Sequence, residues 1–309
     1  MIIYEPNRNW LQDISHLAKS WTMQKILRAV LLMGAVSTVM AVVDIELLTD
    51  MEMKVNTGIF SLLGVALSIL LVFRTNSAYD RWWEGRKQWG ALVNNCRNIA
   101  LMAHVMLPEK ETASRHYLAK SLANFCIALK EHLRKGTKLE ELIHVSPDEL
   151  AYYKTLGHIP NQISLEIFQR VEAHYRAGDL SEADMINIKP QLTSLLDILG
   201  ACERIKKTPI PFSYNVYLKL YITIYGLILP LGLIPEFGYW SIPLVMFVFF
   251  AMIGVEMMAE EIEDPFGLDC NDLPTGNIAH TIKNNVFEIL ESKSSLAHQH
   301  QRELYDKIF

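Results

Sequence analysis

The sequence predicts an all-α membrane protein with four transmembrane helices and long helices that continue into a cytosolic region. Hydrophobic residues make up 50% of the 309 positions, and they are concentrated in two regions instead of being spread evenly. Outside these regions the apolar residues recur at helical spacing, and the alternating pattern of a half-buried strand is absent. Long apolar stretches with few charges are typical of helices that cross a bilayer.

Two apolar stretches lie in the N-terminal third of the chain and two lie near its C-terminal end. Ile26–Val43 has one charged residue, Arg28, close to its start, where a long side chain reaches the interface. Gly58–Phe73 has no charge, and Tyr214–Ile234 and Tyr239–Val255 form the second pair. A transmembrane helix needs roughly 17–25 residues, so we expect four spans, the shorter ones extending into their polar flanks. Buried helices of a soluble protein are the alternative, which Trp and Tyr at the edges of the stretches disfavour.

Basic residues set the predicted orientation of these spans. They precede the first span, follow the second and precede the third. They are Lys19, Lys25, Arg28, Arg74, Arg81, Arg86, Lys87, Arg97, Arg204, Lys206 and Lys207. The two predicted outer turns, 44–57 and 235–238, hold five acidic residues and one lysine. The positive-inside rule therefore predicts that both termini and the central segment are cytoplasmic.

The spans divide the chain into five predicted segments. These are a cytosolic N-terminal segment at 1–25, transmembrane helices 1 and 2 at 26–73, a cytosolic helical region at 74–208, transmembrane helices 3 and 4 at 209–257, and a cytosolic C-terminal segment at 258–309. No proline occurs from 74 to 107, so the second span should continue as one helix of about 49 residues, or roughly 70 Å.

Further helices are expected in the cytosolic region. They are Glu111–Arg134, Ser164–Arg176 and Ser181–Lys206, with connections at Pro147 and Pro160. Lys135-Gly136 is typical of a helix C-terminus, and Ser181 with Asp184 is typical of an N-terminal capping box.

Charge and cysteine content argue against several classes of protein. A net charge of −5 gives no reason to expect a nucleic-acid partner. The four cysteines, Cys96, Cys126, Cys202 and Cys270, are far apart and show no metal-binding spacing, so we expect free thiols. The pattern of a cleavable signal peptide is not visible in residues 1–20.

Three sequence blocks lie at the ends of the predicted spans. They are Phe73–Gly90, with its Arg-Trp-Trp just after the second span, Ala201–Tyr214 just before the third, and Glu260–Asp269 after the fourth. In this order and at these places they resemble the signatures of the bestrophin family, and the short C-terminal region resembles its bacterial branch. The resemblance implies a homopentameric ion channel of the bacterial inner membrane that passes small inorganic ions and requires no cofactor.

The resemblance assigns the pore to the second span. The family's narrow neck of three apolar rings maps to Val65, Ile69 and Phe73, whose spacing of four is consistent with one helical face. A second constriction maps to Ile210, where Pro209 and Pro211 prevent a continuous helix. The alternatives are an ordinary apolar stretch of a span and an ordinary helix break before one.

Acidic residues extend from Glu256 to Asp272 after the fourth predicted span. We expect Glu256, at the membrane edge, to reach water. The resemblance maps the side-chain ligands of the animal family's calcium clasp to Asp269 and Asp272, although Cys270 and Asn271 interrupt the acidic run. The alternative is that the acidic residues cap helices and pair with basic residues. The candidates for such pairs are Arg74, Arg81, Arg86, Lys206 and Lys207.

The sequence leaves the permeant ion and the class of function open. The first outer turn holds Asp44, Glu46, Asp50 and Glu52. These charges would attract cations, whereas Asn56, Asn76 and helix N-termini would favour anions such as chloride. The balance of these features slightly favours cations. The main alternative function is a metal-dependent membrane enzyme that uses residues 256–272, although metalloenzyme and phosphate-loop motifs are absent. A secondary transporter and a membrane-anchored scaffold are further alternatives.

Overall fold

The computed structural model describes residues 21–47, 57–134, 136–269 and 271–292, and the regular secondary structure within these ranges is entirely helical. This confirms the predicted all-α class. The α-helices of these ranges are α1 Trp21–Val42, α2 Thr57–Met106, α3 Thr112–His132, α4 Pro147–Tyr153, α5 Ile159–Arg176, α6 Glu182–Lys207, α7 Phe212–Phe237, α8 Ser241–Glu263 and α9 Thr275–Glu291. Shorter helical turns lie at Val43–Leu47, Leu139–Glu141 and Gly238–Trp240.

The unbroken helix predicted from the absence of proline is confirmed. α2 runs for 50 residues, and its apolar first part continues without interruption into a polar second part. The predicted start of α6 is also confirmed, because the Asp184 N–H donates to Ser181 Oγ at 3.2 Å and the Ser181 N–H donates to Asp184 Oδ2 at 2.9 Å. These two groups satisfy first-turn donors that have no partner inside the helix.

The predicted connections at two prolines are wrong. Pro147 and Pro160 both lie in the first turn of a helix, so that α4 is an additional helix and α5 begins at Ile159. Proline is compatible with this position because the first N–H groups of a helix lack an intrahelical partner and the ring already has a helical φ. Ser146 and Glu149 complete a capping box around the first of these prolines.

The chain forms two compact units. Among the described residues, the first contains 21–47, 57–90, 200–269 and 271–275, and the second contains 91–134, 136–199 and 276–292. α2 and α6 each contribute residues to both units, because these long helices run through the boundaries.

The first unit is built from α1, α7, α8 and the first part of α2. α1, α7 and α8 pack against one another. The core consists of Ile26, Val30, Met33, Phe60, Leu67, Leu71, Leu218, Ile222, Tyr225, Leu229, Val245 and Phe249. Large apolar side chains of the same helices are also exposed, among them Leu32 at 69% and Phe247 at 70%. Helices that are apolar on all sides need a second apolar environment to cover their outer faces.

Three helical segments in the described part of the chain are long and apolar enough to cross a membrane. They are Trp21–Leu47, Gly58–Met106 and Phe212–Glu263. The last of these contains α7 and α8, separated by the turn at Gly238–Trp240. Gly238 has a φ of +54°, a backbone region that favours glycine, and the helix ends there. The turn thereby divides the third segment into helices of 26 and 23 residues.

The second unit exposes fewer large apolar side chains than the first. α3 packs against α5, and the buried core includes Leu118, Leu122, Phe125, Leu129, Ile163, Ile167, Leu192 and Leu195. Removal of this apolar surface from water is the main stabilising contribution expected for such a unit.

Candidate functional site

An apolar stripe runs along the first part of α2. Val65, Ile69 and Phe73 lie four residues apart and are 59%, 53% and 62% exposed in the single chain. On the opposite face of the helix, Leu67 and Leu71 belong to the buried core of the first unit. The structure therefore brings the three predicted neck residues together on one outward face. Their function as a neck stays a prediction.

Three tyrosines of α7 hold the other side of this segment. Tyr214, Tyr221 and Tyr225 donate hydrogen bonds to the backbone carbonyls of Leu70, Leu63 and Phe60, at 3.0, 3.0 and 3.3 Å respectively. Gly64 allows this close approach, since a Cβ at that position would lie 2.7 Å from Tyr225 Oη. These tyrosines were not among the predicted site residues, although their spacing of seven and four places them on one helical face.

The end of the apolar stripe is followed by a buried charge. Arg74, the residue after Phe73, is 0% exposed, and its Nη2 lies 2.7 Å from Glu263 Oε2. Its Nε lies 4.0 Å from Oε1 of Glu256, which is 2% exposed. The expectation that Glu256 reaches water is therefore wrong, because packing of α8 buries this carboxylate next to the arginine. Such charges are tolerated in an interior only when they are paired.

The link between α6 and α7 is non-helical, as its prolines predict. It consists of Thr208–Pro211. The Ile210 N–H donates to Glu263 Oε1 at 2.8 Å. The guanidinium of Arg81 donates to the carbonyl oxygen of Thr208 and, at 3.0 Å, to that of Glu263. The link is thus attached to α8 through a carboxylate that binds the N–H of the predicted constriction residue, and to α2 through an arginine that binds Thr208.

Other acidic side chains of this segment form separate ion pairs. Lys206 Nζ lies 2.5 Å from Asp264 Oδ2, and Lys219 Nζ lies 2.8 Å from Glu260 Oε1. The interpretation that the acidic residues pair with basic ones is therefore confirmed for Arg74 and Lys206. Lys219 was not among the predicted partners, because it lies within an apolar span in the sequence.

Comparison with known proteins decides the family. A family model described as Bacterial/Fungal Bestrophin protein matches residues 1–288. The chain belongs to the bestrophin family. The resemblance carried by the three sequence blocks is therefore confirmed.

Relatives and solved structures agree with this family. A voltage-dependent anion channel-forming protein of Nostoc sp. is 37% identical over 234 residues, which cover 73% of this chain and 75% of that protein. A protein of Escherichia coli K12 with the same functional name is 30% identical over 289 residues, which cover 93% and 94%. The crystal structure of a bacterial bestrophin homolog from Klebsiella pneumoniae has a TM-score of 0.80 at 28% identity and covers 87% of this chain and 99% of that one.

The two residues that the family resemblance assigns to a calcium clasp lie in one turn. Asp272 is buried, and its Oδ2 accepts a hydrogen bond from the Asp269 N–H at 2.6 Å, whereas the Asp269 side chain is exposed. Burial raises the pKa of Asp272 to about 7. Calcium is bound by ionised carboxylates among six to eight oxygens, so a bound ion would have to keep this buried group ionised. Cys270 lies outside the described residues, and calcium binding stays a prediction.

Two of the four acidic residues assigned to the outer mouth lie within the described ranges. Asp44 and Glu46 belong to the helical turn that follows α1. Tyr239 Oη, from the turn between α7 and α8, donates a hydrogen bond to Glu46 Oε1 at 2.7 Å. The two turns that were predicted to be extracellular are therefore in contact. Asp50 and Glu52 lie outside the described residues.

The second unit contains a hydrogen-bonded Ser-His-Asp set that the sequence spacing did not indicate. His174 Nε2 lies 2.7 Å from Ser114 Oγ, and its Nδ1 lies 2.9 Å from Asp179 Oδ2. This order of groups occurs at nucleophilic active sites. Ser114 is 4% exposed, however, and the cavity next to His174 has a volume of about 10 Å³, too small for a substrate. We interpret the set as a buried structural contact between α3 and the end of α5.

Proposed function

We propose that this protein is a bestrophin-type ion channel that passes small monovalent ions, and that α2 from each of five copies lines a central pore. The observation that carries this proposal is the outward stripe of Val65, Ile69 and Phe73, which leaves three large apolar side chains exposed in a single chain. The functional name of the relatives from Nostoc sp. and Escherichia coli supports a channel. In a pentamer these residues would form three apolar rings, spaced by roughly 6 Å along the helix axis.

Apolar rings control ion passage by excluding water from a narrow pore, not by binding the ion. Ion passage through such a neck depends on the width of the neck, because a small change in diameter changes whether water enters. Two features of α2 support a neck of fixed width. One is its packed opposite face, and the other is the set of hydrogen bonds from the tyrosines of α7 to its backbone carbonyls.

We further propose four spans, formed by α1, the first part of α2, α7 and α8, in the bacterial inner membrane with both termini in the cytoplasm. The lengths of α7 and α8, 26 and 23 residues, support two separate crossings. The charges support the orientation, since Arg74 and Arg81 follow the apolar part of α2 whereas Asp44 and Glu46 follow α1 at the other end.

We also assign a second constriction to Ile210. This assignment comes from the family resemblance, and the short link between two prolines supports it. A residue on such a link has little conformational freedom, because each proline has a fixed φ and restricts the residue before it. A ring of isoleucines from five copies would narrow the pore on its cytoplasmic side.

Two observations on the permeant ion point in opposite directions. The names of the relatives from Nostoc sp. and Escherichia coli favour anions. Asp44 and Glu46, on the proposed outer side, favour cations because acidic side chains raise the local cation concentration. The apolar neck itself discriminates little by sign of charge, so the vestibules of the pore would determine selectivity.

The first test is the reversal potential of purified protein in planar bilayers under a salt gradient. We expect ion flux with a non-zero reversal potential, whose sign names the permeant ion. Ile69→Ala should widen the neck and raise the conductance. Leu32→Ala is the matched control, because Leu32 is a 69% exposed apolar residue of α1 that lies outside the stripe. A correctly folded oligomer without flux in either form would overturn the channel and direct attention to an enzyme that uses residues 256–272.

Two further measurements address the oligomer and calcium. Native mass spectrometry of the detergent-solubilised protein should give five times the mass of one chain, and any other number contradicts the pentamer. Flux measured with calcium and with a chelator should differ if Asp269 and Asp272 hold the ion, and Asp269→Asn should remove that difference. A calcium effect that survives in Asp269→Asn would exclude this site.

A further inference from the structure

The carboxylate of Glu263 contacts two segments that are far apart in the sequence. Its Oε2 lies 2.7 Å from Arg74 Nη2 on α2, and its Oε1 accepts the N–H of Ile210 at 2.8 Å. We propose that Glu263 is a positioning residue that fixes the Ile210 constriction relative to the pore-lining helix and thereby determines which ions pass it. This inference rests on the proposed channel function.

The link that carries Ile210 has few backbone N–H groups that can donate hydrogen bonds. Pro209 and Pro211 have no N–H group, so the Ile210 N–H is the one backbone donor of the three-residue segment. That single donor is directed at Glu263. A hydrogen bond to a charged acceptor is stronger than one between neutral groups. Loss of this acceptor would therefore release the middle of the link, while the prolines keep it from joining either helix.

The other oxygen of Glu263 attaches the link to the pore helix. Arg74 follows Phe73, the last residue of the neck stripe, and is 0% exposed. Glu263 itself is 7% exposed, so both charges are shielded from water and screening is weak. A continuous path of short contacts therefore runs from the end of the neck through Arg74 and Glu263 to Ile210. This carboxylate contacts the Ile210 N–H itself, whereas Arg81 of α2 contacts the same link at the Thr208 carbonyl.

The neighbouring acidic residue Glu260 has different contacts from Glu263. Glu260, one turn earlier on α8, pairs with Lys219 at 2.8 Å, and the two side chains are 54% and 47% exposed. Exposed ion pairs contribute little because water and salt screen them. Glu260 is therefore a matched control, with the same side chain on the same helix but without a contact to the link.

The test compares the relative permeability of two ions that have the same charge and different sizes. Bi-ionic reversal potentials give this ratio, which does not depend on how many channels fold or insert. The variants are Glu263→Ala, Glu263→Gln, Ile210→Ala, the double variant of Ile210→Ala with Glu263→Ala, and Glu260→Ala as control. Ile69→Ala reports on the neck separately.

We expect Glu263→Ala to change the permeability ratio in the same direction as Ile210→Ala, by about twofold or more, the factor that corresponds to the smaller coupling energies of contacting residues. The double variant should match Ile210→Ala alone, because Glu263 acts through that side chain. Glu263→Gln leaves one oxygen acceptor for two donors, Arg74 Nη2 and the Ile210 N–H, so it should change the ratio in the same direction by a smaller factor while its thermal stability falls. Glu260→Ala should leave the ratio unchanged.

Several results would overturn the inference. One is a wild-type ratio in folded Glu263→Ala while Ile210→Ala changes it, and another is an additive double variant. If Glu263→Ala does not assemble, Glu263→Asp takes its place, since the shorter carboxylate keeps the charge next to Arg74 but cannot span both contacts. A wild-type ratio in that variant then contradicts the inference. The permeability ratio could also change in Ile69→Ala and stay unchanged in Ile210→Ala. That result would contradict the constriction at Ile210, and therefore also the role inferred for Glu263.

Discussion

Of the two units of this protein, the first exposes many more large apolar side chains than the second. In the first unit Arg74 is fully buried, whereas Leu62 is 74% exposed. In the second unit Leu122 is fully buried, whereas the ion pair of Arg176 with Glu172 has side chains that are 77% and 42% exposed. Contact of an exposed apolar surface with lipid or with other copies of the chain is favourable, whereas its contact with water is unfavourable. The comparison indicates that the units are built for different surroundings.

Buried glutamates occur in both units, and they are held differently. Glu131 is 2% exposed and pairs with Lys130 at 3.0 Å and with Arg134 at 3.2 Å, all within a few residues at the end of α3. Glu263 instead pairs with Arg74, which is 189 positions away. The local set stabilises the end of one helix, whereas the long-range pair joins α8 to α2. Charge that joins distant elements is the kind that can couple two parts of a pore.

The largest effect is expected from Arg74→Met. It leaves Glu263 buried without its cation, and such a loss typically costs about 3–5 kcal/mol, so the thermal midpoint of the assembled protein should fall strongly. Arg134→Met is the matched change in the second unit. Arg134→Met should lower the thermal midpoint by less than Arg74→Met, because Lys130 remains 3.0 Å from Glu131. An equal decrease of the thermal midpoint in both variants would contradict the expected difference between local and long-range ion pairs.

The next effect is expected from leucine truncation in the two units. Leu122→Ala removes a fully buried side chain of the second unit and should lower the free energy of unfolding by about 2–5 kcal/mol. Leu32→Ala, at a 69% exposed position of the first unit, should change it by no more than about 0.5 kcal/mol. Unfolding of both variants in the same detergent, followed by circular dichroism, provides the comparison. A large loss for Leu32→Ala would mean that another part of the assembly buries this position tightly.

A smaller effect is expected when one tyrosine of α7 loses its hydroxyl group. Tyr221→Phe removes the hydrogen bond to the Leu63 carbonyl and should cost about 1 kcal/mol. It should also broaden the distribution of single-channel conductance, because the neck segment of α2 is held less firmly. Tyr217→Phe, at a side chain that is 61% exposed, serves as control. Identical conductance distributions for both variants would show that the tyrosines do not control the neck.

The smallest effect is expected at the N-terminus of α6. Hydrogen bonds from the Ser181 side chain and backbone lower the pKa of Asp184 below its ordinary value. Because the folded-state pKa is lowered, the stabilisation is present above the unfolded pKa and is lost as the pH falls through the folded pKa. Hydrogen exchange in the first turn of α6 should therefore accelerate in acid, and Asp184→Asn should flatten this dependence. An unchanged pH profile in the variant would exclude the cap as its cause.

The sequence was sufficient to predict features that depend on neighbouring residues. It predicted the all-α class, the single long helix α2 and the capping box of α6, because helix periodicity, proline placement and caps act within a few residues. It also indicated that Val65, Ile69 and Phe73 share one face. The same local rules gave an incorrect result at Pro147 and Pro160. A proline in a connection and a proline in the first turn of a helix cannot be distinguished from the neighbouring residues alone.

Only the tertiary structure decided which distant residues meet. The hydrogen bonds of the α7 tyrosines, the burial of Glu256 and the path from Arg74 through Glu263 to Ile210 were not predicted from spacing. Each depends on how far helices are rotated about their axes and shifted along them, and the packing of the whole core sets these quantities together. The sequence by itself determined the helical class, the long helix α2 and the face that carries Val65, Ile69 and Phe73. The fold determined that one buried carboxylate connects the proposed neck to the proposed constriction.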